Sequence, residues 1–245
     1  QVPDEQAGLA AISAGEADVL AYPALALALA AKGMPNVNYE VIDGVGFIGL
    51  LPNNAMAPFD DVKVRKAFSL AIDNDALAAG VGMGIGTAMK GWFPSNHPLA
   101  LDFLAFDPQQ ANKLLDDAGY KISGGRLIGP DGQQLSIEFI DDDDAGTQRF
   151  LLPYIKNLKQ LGIDATFRVV DPTQLQNRLD TFDYDIVIRR FVGSMTPGVE
   201  LRGIFGSAVV DRPGGDNTAG IADPAVDALV EKVIAAKSRE ALVTA

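Results

Sequence analysis

Pro58-Phe59-Asp60-Asp61-Val62-Lys63-Val64-Arg65-Lys66-Ala67-Phe68-Ser69-Leu70-Ala71-Ile72-Asp73 holds a turn, a helix start and a strongly amphipathic helix in one short run. Val64, Ala67, Phe68, Ala71 and Ile72 fall at i, i+3, i+4, i+7 and i+8, the spacing of a buried helical stripe. Asp60 or Asp61 is placed to accept hydrogen bonds from the free N–H groups of the first turn. The stretch therefore predicts a capped helix laid against a core.

Working outward, three more helices are signalled by an aspartate before a proline, at Asp107-Pro108, Asp171-Pro172 and Asp223-Pro224. Each pair puts a capping carboxylate ahead of a proline at the first helical position. The first helix continues through Ala111, Leu114, Leu115 and Ala118 to Gly119, and the second carries Leu175 and Leu179. The third carries Val226, Leu229, Val230, Val233 and Ile234, and another helix turns Leu151, Tyr154, Ile155 and Leu158 inward before Gly162. Leu135–Ile140, Ala165–Val170 and Tyr184–Ile188 read as strands. Strand, helix, strand, helix, strand predicts two crossover units with parallel pairing. Gly129-Pro130-Asp131-Gly132 predicts a turn at a hairpin tip. The first 45 or so residues predict a helix ending near Gly15, an alanine–leucine helix to Gly33, and strands at Val37–Ile42 and Val45–Leu51.

The 245 residues are enough for one large or two small domains, and 48% hydrophobic content supports a sizeable core. A formal net charge of −12 repels phosphates and anionic lipid, so nucleic acid and membrane surfaces are poor partners. With no cysteine there is no disulfide, no thiolate nucleophile and no cysteine metal site. No apolar run approaches the roughly 18–20 residues that span a bilayer. The chain opens on Gln1 with no signal-like segment and ends inside a predicted helix, so it reads as a piece of a longer protein whose export signal would lie upstream.

The stretch at 58–73 resembles a signature of the bacterial extracellular solute-binding proteins of the peptide-transport type, family 5. Gly15-Glu16-Ala17-Asp18, Phe106 to Tyr120 and Asp216 to Asp227 are similar to further blocks of that family, in family order. The resemblance implies an α/β fold, one lobe of the periplasmic-binding-protein type (type II, cluster C-like), with a mixed sheet flanked by helices. It implies a remnant of a first lobe and hinge at residues 1–50 and a second ligand-binding lobe at 51–245. It also implies capture of a peptide or peptide-like solute between two lobes and delivery to the permease of an ABC importer, with no cofactor and a periplasmic location. Contact with the membrane would then be through the permease alone.

In open α/β layers a ligand sits beyond the C-terminal ends of the strands. Tyr184–Ile188 leads into Arg189-Arg190-Phe191-Val192-Gly193-Ser194-Met195-Thr196-Pro197-Gly198, a loop with an aromatic, small residues and polar groups. Arg189, Arg190, Phe191, Ser194, Met195 and Thr196 are therefore candidate ligand-binding residues. Arg189 and Arg190 point to opposite faces if the strand persists, so at most one faces a cleft. Glu200 and Arg202 are further candidates, or pair with each other. Asn217, in the turn after Pro213-Gly214-Gly215, is a candidate hydrogen-bonding residue, and Trp92 a candidate apolar wall. The resemblance implies that the loop faces the cleft. Many relatives carry an aspartate near Ser194 that holds a peptide ammonium; Ser194 has no charge.

Other features point away from chemistry. Gly80-Val81-Gly82-Met83-Gly84-Ile85-Gly86 misses both nucleotide-binding spacings and follows a helix. Asp141-Asp142-Asp143-Asp144 lacks calcium-loop spacing and reads as a solvated loop before a helix N-terminus. His97 is the only histidine and has no metal or triad partners in sequence. Two classes of function compete with peptide capture. One is a receptor for a sugar, an opine or a nickel complex. The other is a carboxylate-based hydrolase, for which none of the 32 acidic residues nominates a pair. A lobe turned to sensing or scaffolding is a third possibility.

Overall fold

The computed structural model describes residues 4–21, 24–41, 46–80, 105–142, 144–191, 196–210 and 212–245. In chain order the helices and strands begin with α1 (Glu5–Ala14), α2 (Leu25–Ala31), β1 (Phe47–Pro52), α3 (Val62–Leu70) and α4 (Asn74–Gly80). They continue with α5 (Pro108–Asp117), β2 (Lys121–Ser123), β3 (Arg126–Ile128), β4 (Ser136–Asp141), α6 (Asp144–Gln160) and β5 (Asp164–Val169). The last are α7 (Pro172–Thr181), β6 (Ile186–Phe191), α8 (Glu200–Phe205), α9 (Pro224–Ile234) and α10 (Arg239–Thr244).

Four strands form a mixed sheet in the order β1-β6-β4-β5. β4 pairs parallel with β5 and with β6, as the two crossover units predict, while β1 adds antiparallel to β6 with Leu50 opposite Ile188. Strand alternation sends side chains to two faces. Ile137, Phe139, Ile186 and Ile188 join α3, α5 and α6 in one core. Ile140 and Val187 face the other way, onto Leu175 and Leu179 of α7.

The predicted stripe of α3 is the seam of the larger core: Val64, Ala67, Phe68 and Ala71 are buried, and Asp61 accepts from Lys63 N. α6 locks onto it through two polar contacts. The Tyr154 hydroxyl donates to Phe68 O (2.9 Å), and Asn157 Nδ2 donates to Ala71 O (3.2 Å). Each aspartate before a proline caps its helix, Asp107 accepting from Gln110 N, Asp171 from Thr173 N and Gln174 N, and Asp223 from Ala225 N. Gly162 closes α6 at φ +81°, and a Cβ there would lie 2.7 Å from Leu127 N, so only glycine lets β3 approach so closely.

Two expectations need correction. Residues 37–41 form no strand and pair with none of the described strands; Val41 is exposed, with no core against which to bury a strand face, and Ile42 lies outside the described residues. The predicted stripe of α9 is buried only at Val230, while Leu229 is 54% exposed, because among the described residues α8 is its main neighbour. Gly124-Gly125, passed over in the sequence, turns β2 into β3 with φ +57° and +76°, the backbone a two-residue hairpin needs. The Gly129–Gly132 turn does return β3 toward β4, with Gly132 N donating to Gly129 O and Leu135 N to Leu127 O.

Ahead of β6, Asp185 accepts from Glu138 N (2.8 Å). Burial lifts its carboxyl above the usual range, Glu138 and Asp183 add to the rise, and the Glu138 N–H and the Arg178 charge oppose it. A raised folded pKa makes this group favour folding below its unfolded pKa and oppose it once pH climbs through the folded one. Asp185→Asn keeps an acceptor without the charge. Its stability relative to wild type is expected to be greater at about pH 7 than at about pH 3.5, read from urea midpoints. In α6, Leu158→Ala (0% exposed) is expected to cost about 2–5 kcal/mol, against less than about 0.5 kcal/mol for Leu152→Ala (52% exposed).

Candidate functional site

The parallel strands β4 and β5 end together at Asp141 and Val169, β6 runs on past them to Phe191, and the segments that follow form one rim of the sheet. Asp141 is 0% exposed, which corrects the expectation that 141–144 is wholly a solvated loop; Asp142 is exposed, and Asp143 lies outside the described residues. A carboxylate is buried at such cost only when charge and hydrogen bonds compensate it. Arg190 supplies the charge, donating from its two terminal nitrogens to Asp141 Oδ1 (3.3 Å) and Oδ2 (3.1 Å). The hydroxyl of Thr147, fully buried in α6, donates to Asp141 Oδ2, and Asp142 N donates to Oδ1 (3.0 Å).

Arg189 lies on the opposite face of β6, in register with Gly49 of β1 and half-buried. Its guanidinium has no hydrogen-bond or ion-pair partner among the described residues. Its charge nevertheless reaches Tyr184. Burial drives that phenol far above its usual range and Arg189 pulls partly against the rise. Phe191, half-buried, stands opposite Phe47 at the end of β6, and Thr196 is exposed.

The remaining candidates hold the scaffold behind the rim. Arg202 pairs with Glu231 of α9 in a two-pronged contact (2.5 and 2.6 Å) rather than with Glu200. Residues two apart on a helix do not face each other, so the expected Glu200–Arg202 pair has no geometry. Glu200 instead accepts from Gly198 N (2.9 Å). The pairing raises the pKa of Arg202 and lowers that of Glu231. Asn217 is buried and donates to Gly206 O (3.0 Å) and Ile221 O (2.8 Å) while accepting from Ile221 N (3.0 Å). Ser194, Met195 and Trp92 lie outside the described residues, as do His97 and residues 81–86 of the glycine run.

Sequence reasoning missed Asp141 and Thr147. An acidic residue closing an apolar strand was the available signal. It also missed Asn53, which is 1% exposed and donates to Phe182 O (2.9 Å) and Tyr184 O (3.1 Å), clasping the end of β1 to the start of β6. Among the described residues no three His, Cys, Asp or Glu side chains converge on a metal position. No described helix is long and apolar enough to cross a membrane. A shallow groove of about 610 Å³ between α9 and α10 is lined by residues 232–245 and takes nothing from the strand ends.

Residues 1–209 match the model of the bacterial extracellular solute-binding proteins, family 5 Middle. A probable peptide-binding protein, YejA, of Agrobacterium fabrum is 36% identical over 86% of this chain, and the chain spans 40% of that relative's length. Among solved structures, the oligopeptide-binding protein AppA of Bacillus subtilis, in complex with a nonapeptide, superposes with TM-score 0.75 at 21% identity. That match covers 99% of this chain and 49% of AppA. NikA of Brucella suis, in complex with Fe(III)-EDTA, gives TM-score 0.71 at 24% identity over 99% of this chain and 50% of that one. These likenesses establish the fold as about half of such a binding protein.

Asn217→Ala would remove the side-chain partners of Ile221 N and Ile221 O and leave Gly206 O with a long contact from Val209 N (3.4 Å). It is expected to cost about 1–3 kcal/mol of stability in chemical denaturation, more than Asn177→Ala, exposed on α7.

Proposed function

The chain belongs to the bacterial extracellular solute-binding proteins of family 5, and from that premise we propose that it serves as the solute-binding component of an ABC importer. It takes a peptide or peptide-like solute outside the cytoplasm, in the periplasm, and hands it to the membrane permease. Two lobes close about the ligand. Residues 51–245 are the second lobe and residues 1–50 the remnant of the first with its hinge. On this reading β1 spans the junction and Asn53 fixes its exit.

The observation that carries this reading is the rim. A half-buried guanidinium with no partner among the described residues stands at the end of a parallel strand, beside Phe191. A ligand carboxylate desolvated against Arg189 gains a charge-assisted, two-pronged hydrogen bond. Phe191 and Thr196 supply apolar and polar contacts to the same ligand. Ser194, Met195 and Trp92 remain part of the proposal as cleft residues. Arg190, Glu200, Arg202 and Asn217 act from behind the rim. The complex of NikA with Fe(III)-EDTA makes an anionic chelate the second reading, since it too would present carboxylates to Arg189.

Calorimetric titration with an equimolar mixture of tri- to pentapeptides, beside native mass spectrometry of the protein as purified, tests this. Peptide binding is expected, and Arg189→Gln is expected to weaken it about 10- to 100-fold. A bound chelate would decide for the second reading. No affinity for peptides, sugars or chelates would remove the proposal.

A further inference from the structure

The last residues of β6 outrun their neighbour. β6 pairs with β1 along all six of its residues but with β4 at Phe139↔Ile186 and Ile140↔Val187. The described β4–β6 ladder thus reaches Val187, four residues short of the end of β6. Past it runs a side-chain tie: Arg190 reaches back to the fully buried carboxylate at the end of β4, which α6 also grips through Thr147.

We infer that Asp141 is the positioning residue of the rim. Its carboxylate ties the end of β6, through Arg190, to the end of β4 and to α6, and sets the direction in which β6 delivers Arg189 and Phe191. Both oxygens are engaged by the two terminal nitrogens of Arg190, so the guanidinium is fixed in plane as well as in distance. Thr147 Oγ1 bonds the same carboxylate and receives a further contact from Arg190 (3.4 Å), tying the first turns of α6 into the unit. Asp141 itself is out of reach of solvent. Arg189, one residue along and on the other face, has its backbone held between Arg190 and the β1 ladder. The effect of Asp141 on recognition is therefore transmitted through Arg190. This inference rests on the proposed role of the rim in binding.

Asp141→Asn keeps the shape and removes the charge. Peptide-level hydrogen exchange is expected to speed up at least about tenfold across residues 188–191, with residues 62–70 and 172–181 unchanged. Unchanged exchange at 188–191 would overturn the inference. If Asp141→Asn loses protection everywhere, Thr147→Val is the substitute, because it removes one donor without leaving a buried charge unpaired. A local acceleration at 188–191 then supports the inference, and none refutes it.

The second readout is affinity for the same tri- to pentapeptide mixture. Asp141→Asn is expected to bind about tenfold more weakly, and Asp141→Glu to recover part of the loss. Faster exchange with undiminished affinity would overturn the positioning role. Wild-type protein that binds no peptide would instead count against the proposed function, and the exchange result would still decide whether Asp141 holds the strand end.

Discussion

Strand β4 must be satisfied on four sides at once. Its two margins carry parallel partners, and its two faces carry separate cores, Ile137 and Phe139 toward α3 and α6, Ile140 toward α7. All three side chains are 0% exposed. A parallel strand in this position is stable only when helices cover both faces, so every crossover helix owes its place to β4. The apolar pattern ends at Asp141, and there the same closeness of packing that excludes water demands a counter-charge. The Arg190–Asp141 pair is the polar continuation of the core rather than an ornament on it.

Behind the rim, buried side-chain amides do what more strands would do elsewhere. Asn53 ties the end of β1 to the backbone before β6, and Asn217 holds the segment after α8 against the approach to α9. The Tyr184 hydroxyl donates to Thr218 O and links the two regions. A buried amide with its donors and acceptor used fixes a loop in one geometry, because any shift leaves polar groups dry and unpaired. On the proposed two-lobe reading, such rigidity in each half lets closure be a movement of whole lobes.

Elements governed by local chemistry were legible in the chain. The α3 stripe, the three aspartate–proline helix starts and the apolar cores of β4, β5 and β6 each follow from residues close in sequence. Features decided by distant contacts were not. Residues 37–41 have strand-like side chains but no core to cover, with Val41 exposed, and Leu229 fits a helical stripe with too little packed above it. The same limit applied at the site. Arg189 and Arg190 could be sent to opposite faces by alternation. Which of them meets a buried carboxylate depended on α6 folding over the end of β4, and Arg202 found its partner on α9, 29 residues away.

The sheet also has two unlike margins. β5 is guarded by charge, with Asp164 at its start and an exposed Arg168 near its end. Phe47–Pro52 carries no charge at all, and its Ile48 is 53% exposed. An uncharged outer strand with no described strand on its far side can accept further extended chain, and the proline at its end lacks the N–H that such pairing would use. Any enlargement of this sheet, whether by the molecule's own polypeptide or by a stranger's, is thus biased to begin at β1.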